Sequence, residues 1–264
     1  MGTPAIEEGL ARLRGEPGRW LVALDFDGTL APIVARPEDA RLDPALAPIL
    51  QRVKDSVGWV AVISGRQRAF LEDRVPGVMS IGSYGLELPP ELSRNGLPER
   101  FPANSVRGRL DVARLDLDAA LVPGARLEVK PWGLAIHYRG AGPGFDEAGA
   151  LRLAEAVAER HDLDVQQGRL VIEIKPREAV DKGWALALLA ARLQPSAVVF
   201  VGDDLGDVPA WEATRQLGAR IPSLGVALAS HELPRGALAS CDLVLSDRAL
   251  LGPFLEALLE KAGA

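Results

Sequence analysis

Residues 20–33, WLVALDFDGTLAPI, open on five apolar residues and then change character at two aspartates. Trp20 to Leu24 is a nearly unbroken apolar run, the pattern of a strand covered on both faces of a parallel sheet. Asp25 and Asp27 follow where the run stops, and Gly28-Thr29 turns the chain away. Two residues apart on an extended backbone, the two carboxylates share a face. Like charges held that close repel, strongly so in a dry site. A hard divalent cation relieves the repulsion, and Mg²⁺ favours carboxylate and water oxygens. A bare D-x-D is as readily a loop with two solvated aspartates; the apolar strand before it and the Gly-Thr after it favour a site.

Working outward, the same grammar repeats. Ile6–Arg14 has the spacing of a short amphipathic helix, and Asp43-Pro44 reads as a helix start leading into LAPILQRVKDS. Trp59–Ile63 is a second buried strand, ending at Ser64-Gly65-Arg66, and a helix over RQRAFLEDRV and a strand over Val78–Ile81 follow. This β-α-β-α-β order predicts a parallel sheet wound with helices, in which ligands sit at the carboxyl ends of strands. Residues 89–102 loosen into Pro, Gly and Asn, an excursion and linker. Between about Arg107 and Lys175 two alternating runs, Arg126–Lys130 and Leu134–Arg139, joined at Pro131-Trp132-Gly133, predict antiparallel strands. A helix over Phe145–Arg160 and a strand over Leu170–Ile174 complete a small α+β insert. The wound pattern resumes with a helix over Val180–Leu193 and a strand over Ala197–Val201, which ends at Gly202-Asp203-Asp204-Leu205-Gly206-Asp207. Leu224–Leu228 and Asp242–Leu245 read as further strands, and Arg248–Lys261 as a closing helix. The fold class is α/β: a Rossmann-like doubly wound parallel sheet over residues 1–104 and 176–264, with an inserted α+β domain over 105–175.

Composition narrows the function. The chain has 264 residues, 48% of them hydrophobic, and a net charge of −6. Mild acidity leaves no basic footprint for nucleic acid or anionic lipid. No segment approaches the ~18 consecutive apolar residues of a membrane span. The N-terminal stretch is acidic and lacks the apolar region of a secretory signal, so a cytoplasmic protein is expected. The single cysteine, Cys241, excludes an internal disulfide and reads as a small core residue.

Three strand ends thus bring D-x-D, S-G and G-D-D-x-x-D to one edge, and Lys182 lies at the start of the helix before the last. Singly, Ser64-Gly65 is a plain loop, Lys182 a solvated helix residue and Asp203-Asp204 a helix cap. Together and in this order they suit phosphoryl transfer: one carboxylate attacks phosphorus, a second protonates the leaving oxygen and then activates water. Asp203 helps hold the metal, and Ser64 and Lys182 neutralise the equatorial oxygens.

The motifs Asp25-Phe26-Asp27-Gly28-Thr29-Leu30, Ser64-Gly65-Arg66, Lys182-Gly183 and Gly202-Asp203-Asp204 resemble those of the haloacid dehalogenase-like (HAD) phosphatases. The insert lies where that superfamily places one type of cap domain. The resemblance implies Asp25 as nucleophile, Asp27 as general acid/base, and Ser64 and Lys182 as phosphate ligands. Mg²⁺ would be held by Asp25, the Asp27 backbone carbonyl and Asp203, with Thr29, Asp204 and Asp207 in support.

Within the superfamily the chain most resembles the trehalose-6-phosphate phosphatases. Asp27 to Ile33 matches their extended first motif. Glu128, Lys130, His137, Tyr138 and Arg139 match a Glu-x-Lys and His-Tyr-Arg pattern in the cap. Glu173, Lys175 and Pro176, leading to Lys182-Gly183, match a further segment. The resemblance implies substrate contacts from Gly65, Arg66, Tyr84, Glu128, Lys130, Glu173 and Lys175, a cap that closes over the core, and hinges near Phe101-Pro102 and Lys175-Pro176. The substrate would be a sugar phosphate supplied by a trehalose-6-phosphate synthase, and the enzyme a monomer. Other glycosyl phosphates, such as those of glucosylglycerate or mannosylglycerate, are the nearest alternatives, and a non-catalytic sugar-phosphate sensor is the alternative of another class. Two departures stand out. Gly82-Ser83-Tyr84-Gly85 carries Tyr84 where the family has a histidine, and Gly206 and Val208 replace a Thr and a Glu in the last motif. His161 and His231 carry no expected role, and His137 is a second-line candidate in the cap sheet.

Overall fold

A computed structural model describes residues 3–93, 103–138, 141–142, 144–168, 170–177, 181–230, 233 and 236–264. The chain divides into two compact units, Met1–Leu92 with Val180–Ala264, and Ser93–Ala179. Phe101, Pro102, Arg139 and His231 lie outside the described residues.

The first unit is built on a six-stranded parallel sheet. Its strands are β1 (Trp20–Leu24), β2 (Trp59–Ile63), β3 (Met79–Ile81), β8 (Ala197–Gly202), β9 (Ser223–Leu228) and β10 (Leu243–Leu245), in the order β10-β9-β8-β1-β2-β3. β1 is central: Leu24 pairs with Val62 on one side and with Val201 on the other. Five buried residues in a row along β1 require cover on both faces. Val22, Leu24, Val60, Val62, Val199 and Val201 point to one face, where they share a core with Phe254, Leu255 and Leu258 of the C-terminal helix. The other face carries Leu21, Ala23, Ile63 and Phe200, all fully buried.

Nine helices are described: α1 (Thr3–Leu10), α2 (Ala47–Ser56), α3 (Arg68–Arg74), α4 (Pro90–Ser93), α5 (Ala103–Ala120), α6 (Glu147–Arg160), α7 (Lys182–Leu193), α8 (Val208–Leu217) and α9 (Leu251–Ala262). Helix α1 starts earlier than its spacing predicts. Asp43 does cap a turn, accepting the Ala45 N–H at 3.0 Å, but α2 begins only at Ala47. Arg248 falls in a short 3₁₀ turn, Arg248–Leu250, ahead of α9. Helix α8 is an addition to the sequence-based reading.

The second unit holds a four-stranded antiparallel sheet, β4 (Arg126–Lys130), β5 (Gly133–His137), β7 (Val171–Pro176) and β6 (Leu163–Gly168), in that order. Leu134, Ile136, Ile172 and Ile174 are buried, and α5 and α6 pack on the sheet. The predicted strand-strand-helix-strand core is present, extended by α5 in front and by β6 at an edge.

Candidate active site

The sheet places the acidic motifs side by side. Asp25 follows β1 and continues its ladder, its N–H donating to the Val201 carbonyl at 2.9 Å. Ser64 follows β2 and Asp203 follows β8, so the nucleophile candidate is flanked on both sides. Asp25, Ser64, Lys182, Asp203 and Asp207 are all buried. Gly28, at φ +84°, lets the loop run against Asp203; a Cβ there would lie 2.0 Å from its Oδ2.

Lys182 knits the centre. Asp181 caps α7, its carboxylate accepting the Trp184 N–H at 2.7 Å, which fixes Lys182 in the first turn. The Lys182 ammonium lies 2.8 Å from Asp25 Oδ1 and 2.7 Å from Asp207 Oδ1. Burial alone would lower its pKa, but Asp25, Asp207 and Asp204 outweigh that and raise it, so the ammonium stays charged. Burial also raises the Asp25 carboxyl well above the ordinary range, against the pull of Lys182. The other oxygen of Asp207 accepts the N–H groups of Asp203 and Asp204, at 2.8 and 3.0 Å. With both oxygens engaged, Asp207 is a buttress of the site.

Oxygen atoms of Asp25, Asp203 and Asp207 lie within 4.8 Å of one another. Asp203 Oδ1 accepts the Thr29 hydroxyl at 2.8 Å, and the Asp203 carbonyl accepts the Ser230 hydroxyl at 2.9 Å. Burial pushes the Asp203 carboxyl up to about 7; Thr29 and Lys182 oppose this, and Asp207 and Asp204 reinforce it. Asp204 Oδ1 is buried without a hydrogen-bond partner. Three clustered buried carboxylates, those of Asp25 and Asp203 both raised by burial, form a donor set that fits a hard divalent cation.

Asp27 is half-buried and differently held. Arg66 grips it in a two-pronged ion pair, Nε to Oδ2 and Nη2 to Oδ1, both at 2.7 Å. The Arg66 guanidinium also lies over the Phe70 ring, 4.7 Å from its centroid, and Phe70 meets Phe26 edge-on. Arg66, expected as a substrate contact, pairs here with the acid/base candidate.

Tyr84 adjoins the same loop. Ser83 and Tyr84 both take left-handed backbone, φ +48° and +58°. Their N–H groups donate to the Arg66 and Ser64 carbonyls, at 2.9 and 3.0 Å. Ser83 also donates to the Glu87 carboxylate. The Tyr84 ring comes down on Gly65, where a Cβ would meet its Cζ and hydroxyl at 2.6 Å.

In the second unit, β4, β5 and β7 align Glu128, Ala135 and Glu173 in one row of the sheet. Their polar groups are paired: His137 Nε2 with Glu128 at 2.6 Å, Lys130 with Glu173 at 2.5 Å, and Lys175 with the Gln166 amide oxygen at 2.6 Å. His161 contacts Asp116 at 2.8 Å. Cys241, expected in the core, is half-buried and donates to the Leu238 carbonyl.

Sequence reading missed Ser230, Glu87 and Arg248. The last donates to the carbonyls of Thr29 and Leu30 at 2.9 and 3.1 Å. None carries a motif; Ser230 and Arg248 act on backbone remote in sequence, and Glu87 on Ser83 four residues before it.

Comparison with solved structures places the fold among the HAD-like hydrolases. A haloacid dehalogenase-like hydrolase from Bacteroides thetaiotaomicron matches with TM-score 0.62 at 15% identity, over 90% of this chain and 98% of that one. The trehalose-6-phosphate phosphatase C-terminal domain of C. albicans matches with TM-score 0.69 at 23% identity, over 98% and 97% of the two chains. The chain belongs to the trehalose-phosphatase family, whose model matches residues 23–230. A trehalose-phosphate phosphatase of Mycobacterium avium (strain 104) is 37% identical over 203 residues, 74% of this chain and 51% of that protein. The chain spans about half the length of such phosphatase relatives.

Proposed function

We propose that this protein is a Mg²⁺-dependent phosphatase that cleaves trehalose 6-phosphate to trehalose and phosphate through an aspartyl phosphate on Asp25. The observation that carries the reading is the buried contact of Lys182 with Asp25, 2.8 Å long, at the end of the central strand. Membership of the trehalose-phosphatase family supports the substrate. In this mechanism Asp25 attacks phosphorus and the bond to the sugar oxygen breaks. Asp27 protonates that oxygen as it leaves, then takes a proton from the water that hydrolyses the acyl phosphate. Arg66 fixes the direction of the Asp27 carboxylate, and Lys182 and the Ser64 hydroxyl offset charge on the equatorial oxygens. Asp25, Asp203 and the Asp27 carbonyl would hold Mg²⁺, which when bound neutralises charge on the phosphoryl group. Glu128, Lys130, Glu173 and Lys175 serve as sugar contacts, since carboxylates accept from vicinal hydroxyls and ammonium groups donate to them. The reading extends to a cytoplasmic monomer fed by a trehalose-6-phosphate synthase.

Phosphate release from a panel of sugar phosphates, with Mg²⁺ and with a chelator, tests this. Mg²⁺-dependent preference for trehalose 6-phosphate, lost in Asp25→Asn, is the expected result. A second reading, another glycosyl phosphate as substrate, is favoured by one observation: Tyr84 lies on Gly65 of the phosphate loop. Preference for a glucosyl- or mannosylglycerate phosphate in the same panel would select it.

A further inference from the structure

Arg248 lies beyond the residues matched by the family model, yet it reaches back more than two hundred residues to the first motif. Its guanidinium makes three contacts: Nε donates to the Thr29 carbonyl at 2.9 Å, Nη2 to the Leu30 carbonyl at 3.1 Å, and Nη1 to Asp43 Oδ2 at 2.9 Å. Asp43 closes the triangle, its own N–H donating to the Leu30 carbonyl at 2.9 Å. Both ends of the clamp are anchored. Asp43 Oδ1 accepts the Ala45 N–H, and Asp247 caps the turn that carries Arg248. That turn leads directly into α9, whose Leu251, Phe254, Leu255 and Leu258 are fully buried.

The clamp acts on a loop residue that hydrogen-bonds the metal-site carboxylate. Thr29 is fully buried, and its hydroxyl donates to Asp203 Oδ1 at 2.8 Å. A carbonyl held on one side of Thr29 sets where its hydroxyl points on the other. Planar, multidentate donation of this kind needs arginine, since a lysine ammonium cannot span two carbonyls and a carboxylate in the same fork.

We propose that Arg248 is a positioning residue of the metal site: by pinning the Thr29 and Leu30 carbonyls against Asp43, it holds the Thr29 hydroxyl on Asp203 and so fixes that carboxylate for Mg²⁺. This rests on the Mg²⁺-phosphatase reading above. Groups that orient metal ligands from outside typically contribute about 10–100-fold in metal affinity.

The test is Mg²⁺ titration by calorimetry together with amide hydrogen exchange of the metal-free protein, on wild type, Arg248→Gln, Arg248→Lys and Asp43→Asn. Arg248→Gln is expected to weaken Mg²⁺ binding by about tenfold or more. It also speeds exchange at the Gly28, Ala31 and Asp43 amides, which close this loop, while β9 amides keep their wild-type rates. Arg248→Lys, which keeps the charge without the fork, and Asp43→Asn fall between, and they carry the test if Arg248→Gln does not fold. Unchanged Mg²⁺ affinity in variants of a wild type that binds Mg²⁺ overturns the proposal, with or without faster exchange. A wild type that binds no Mg²⁺ overturns the metal reading itself, and this proposal with it.

Discussion

Lys182 has two buried carboxylate neighbours and almost no access to water. Replacing it with methionine keeps most of the volume and strands the charges of Asp25 and Asp207. Removing one partner of a buried ion pair costs about 3–5 kcal/mol, so Lys182→Met should lose that much in denaturant unfolding, besides losing turnover. At Gly65 the effect is steric. Gly65→Ala drives a methyl into the Tyr84 ring, 2.6 Å away, in a loop tied to Ser64 and Arg66 by backbone hydrogen bonds. Such overpacking costs about 1–3 kcal/mol. Tyr84→Ala in the same chain should recover most of the loss, and a double-mutant cycle on unfolding free energy reads the coupling.

At the scale of elements, α7 exists to present Lys182, and Asp181 holds its first turn. Asp181→Ala should cost about 1 kcal/mol, seen as a lower melting temperature. What was legible in sequence follows the physics of burial. β1, β2 and β8 are covered on both faces, so they read as apolar runs, and the carboxylates at their ends read as a site. β6 did not read as a strand because it is an edge strand whose Asp164, Gln166 and Gln167 need no cover. Helix α5 was missed although Val106, Leu110, Ala113 and Leu117 mark one buried stripe at helical spacing; its many charges masked the period. Helix α8 is not predicted from sequence because its start, Val208, coincides with the end of the acidic motif. The contacts that hold the motif residues are less legible: resemblance implies a supporting role for Thr29, but not which atoms meet. Arg66 gripping Asp27 and Thr29 holding Asp203 are tertiary contacts, and residue spacing carries no sign of them.

For the whole molecule, the acidic cluster makes stability depend on pH and metal. In the metal-free protein the Asp203 carboxyl titrates near 7, against 3.8 for its ordinary value. Between those values the folded state keeps a proton that the unfolded state has lost. This contribution is therefore complete below the lower value and fades as pH rises through about 7. The melting temperature of metal-free wild type should fall over that range more than that of Asp203→Asn. Mg²⁺ binds the ionised form, so its stabilisation should be larger at pH 8 than at pH 5, as thermal melts with and without the metal would show.

The parallel sheet is also discontinuous in the chain, and this bears on how the protein is made. β1, β2 and β3 are finished by Ile81, but β8, which must pair along the whole of β1, begins at Ala197. At about 5–20 residues per second, a ribosome needs roughly 6–23 s to cover that gap. Throughout it, the fully buried central strand of the fold has one edge bare, while the inserted unit, synthesised in between, already has every strand and helix it packs with. The nascent chain should therefore recruit holdase chaperones during this interval, and release them once Gly202 has cleared the exit tunnel.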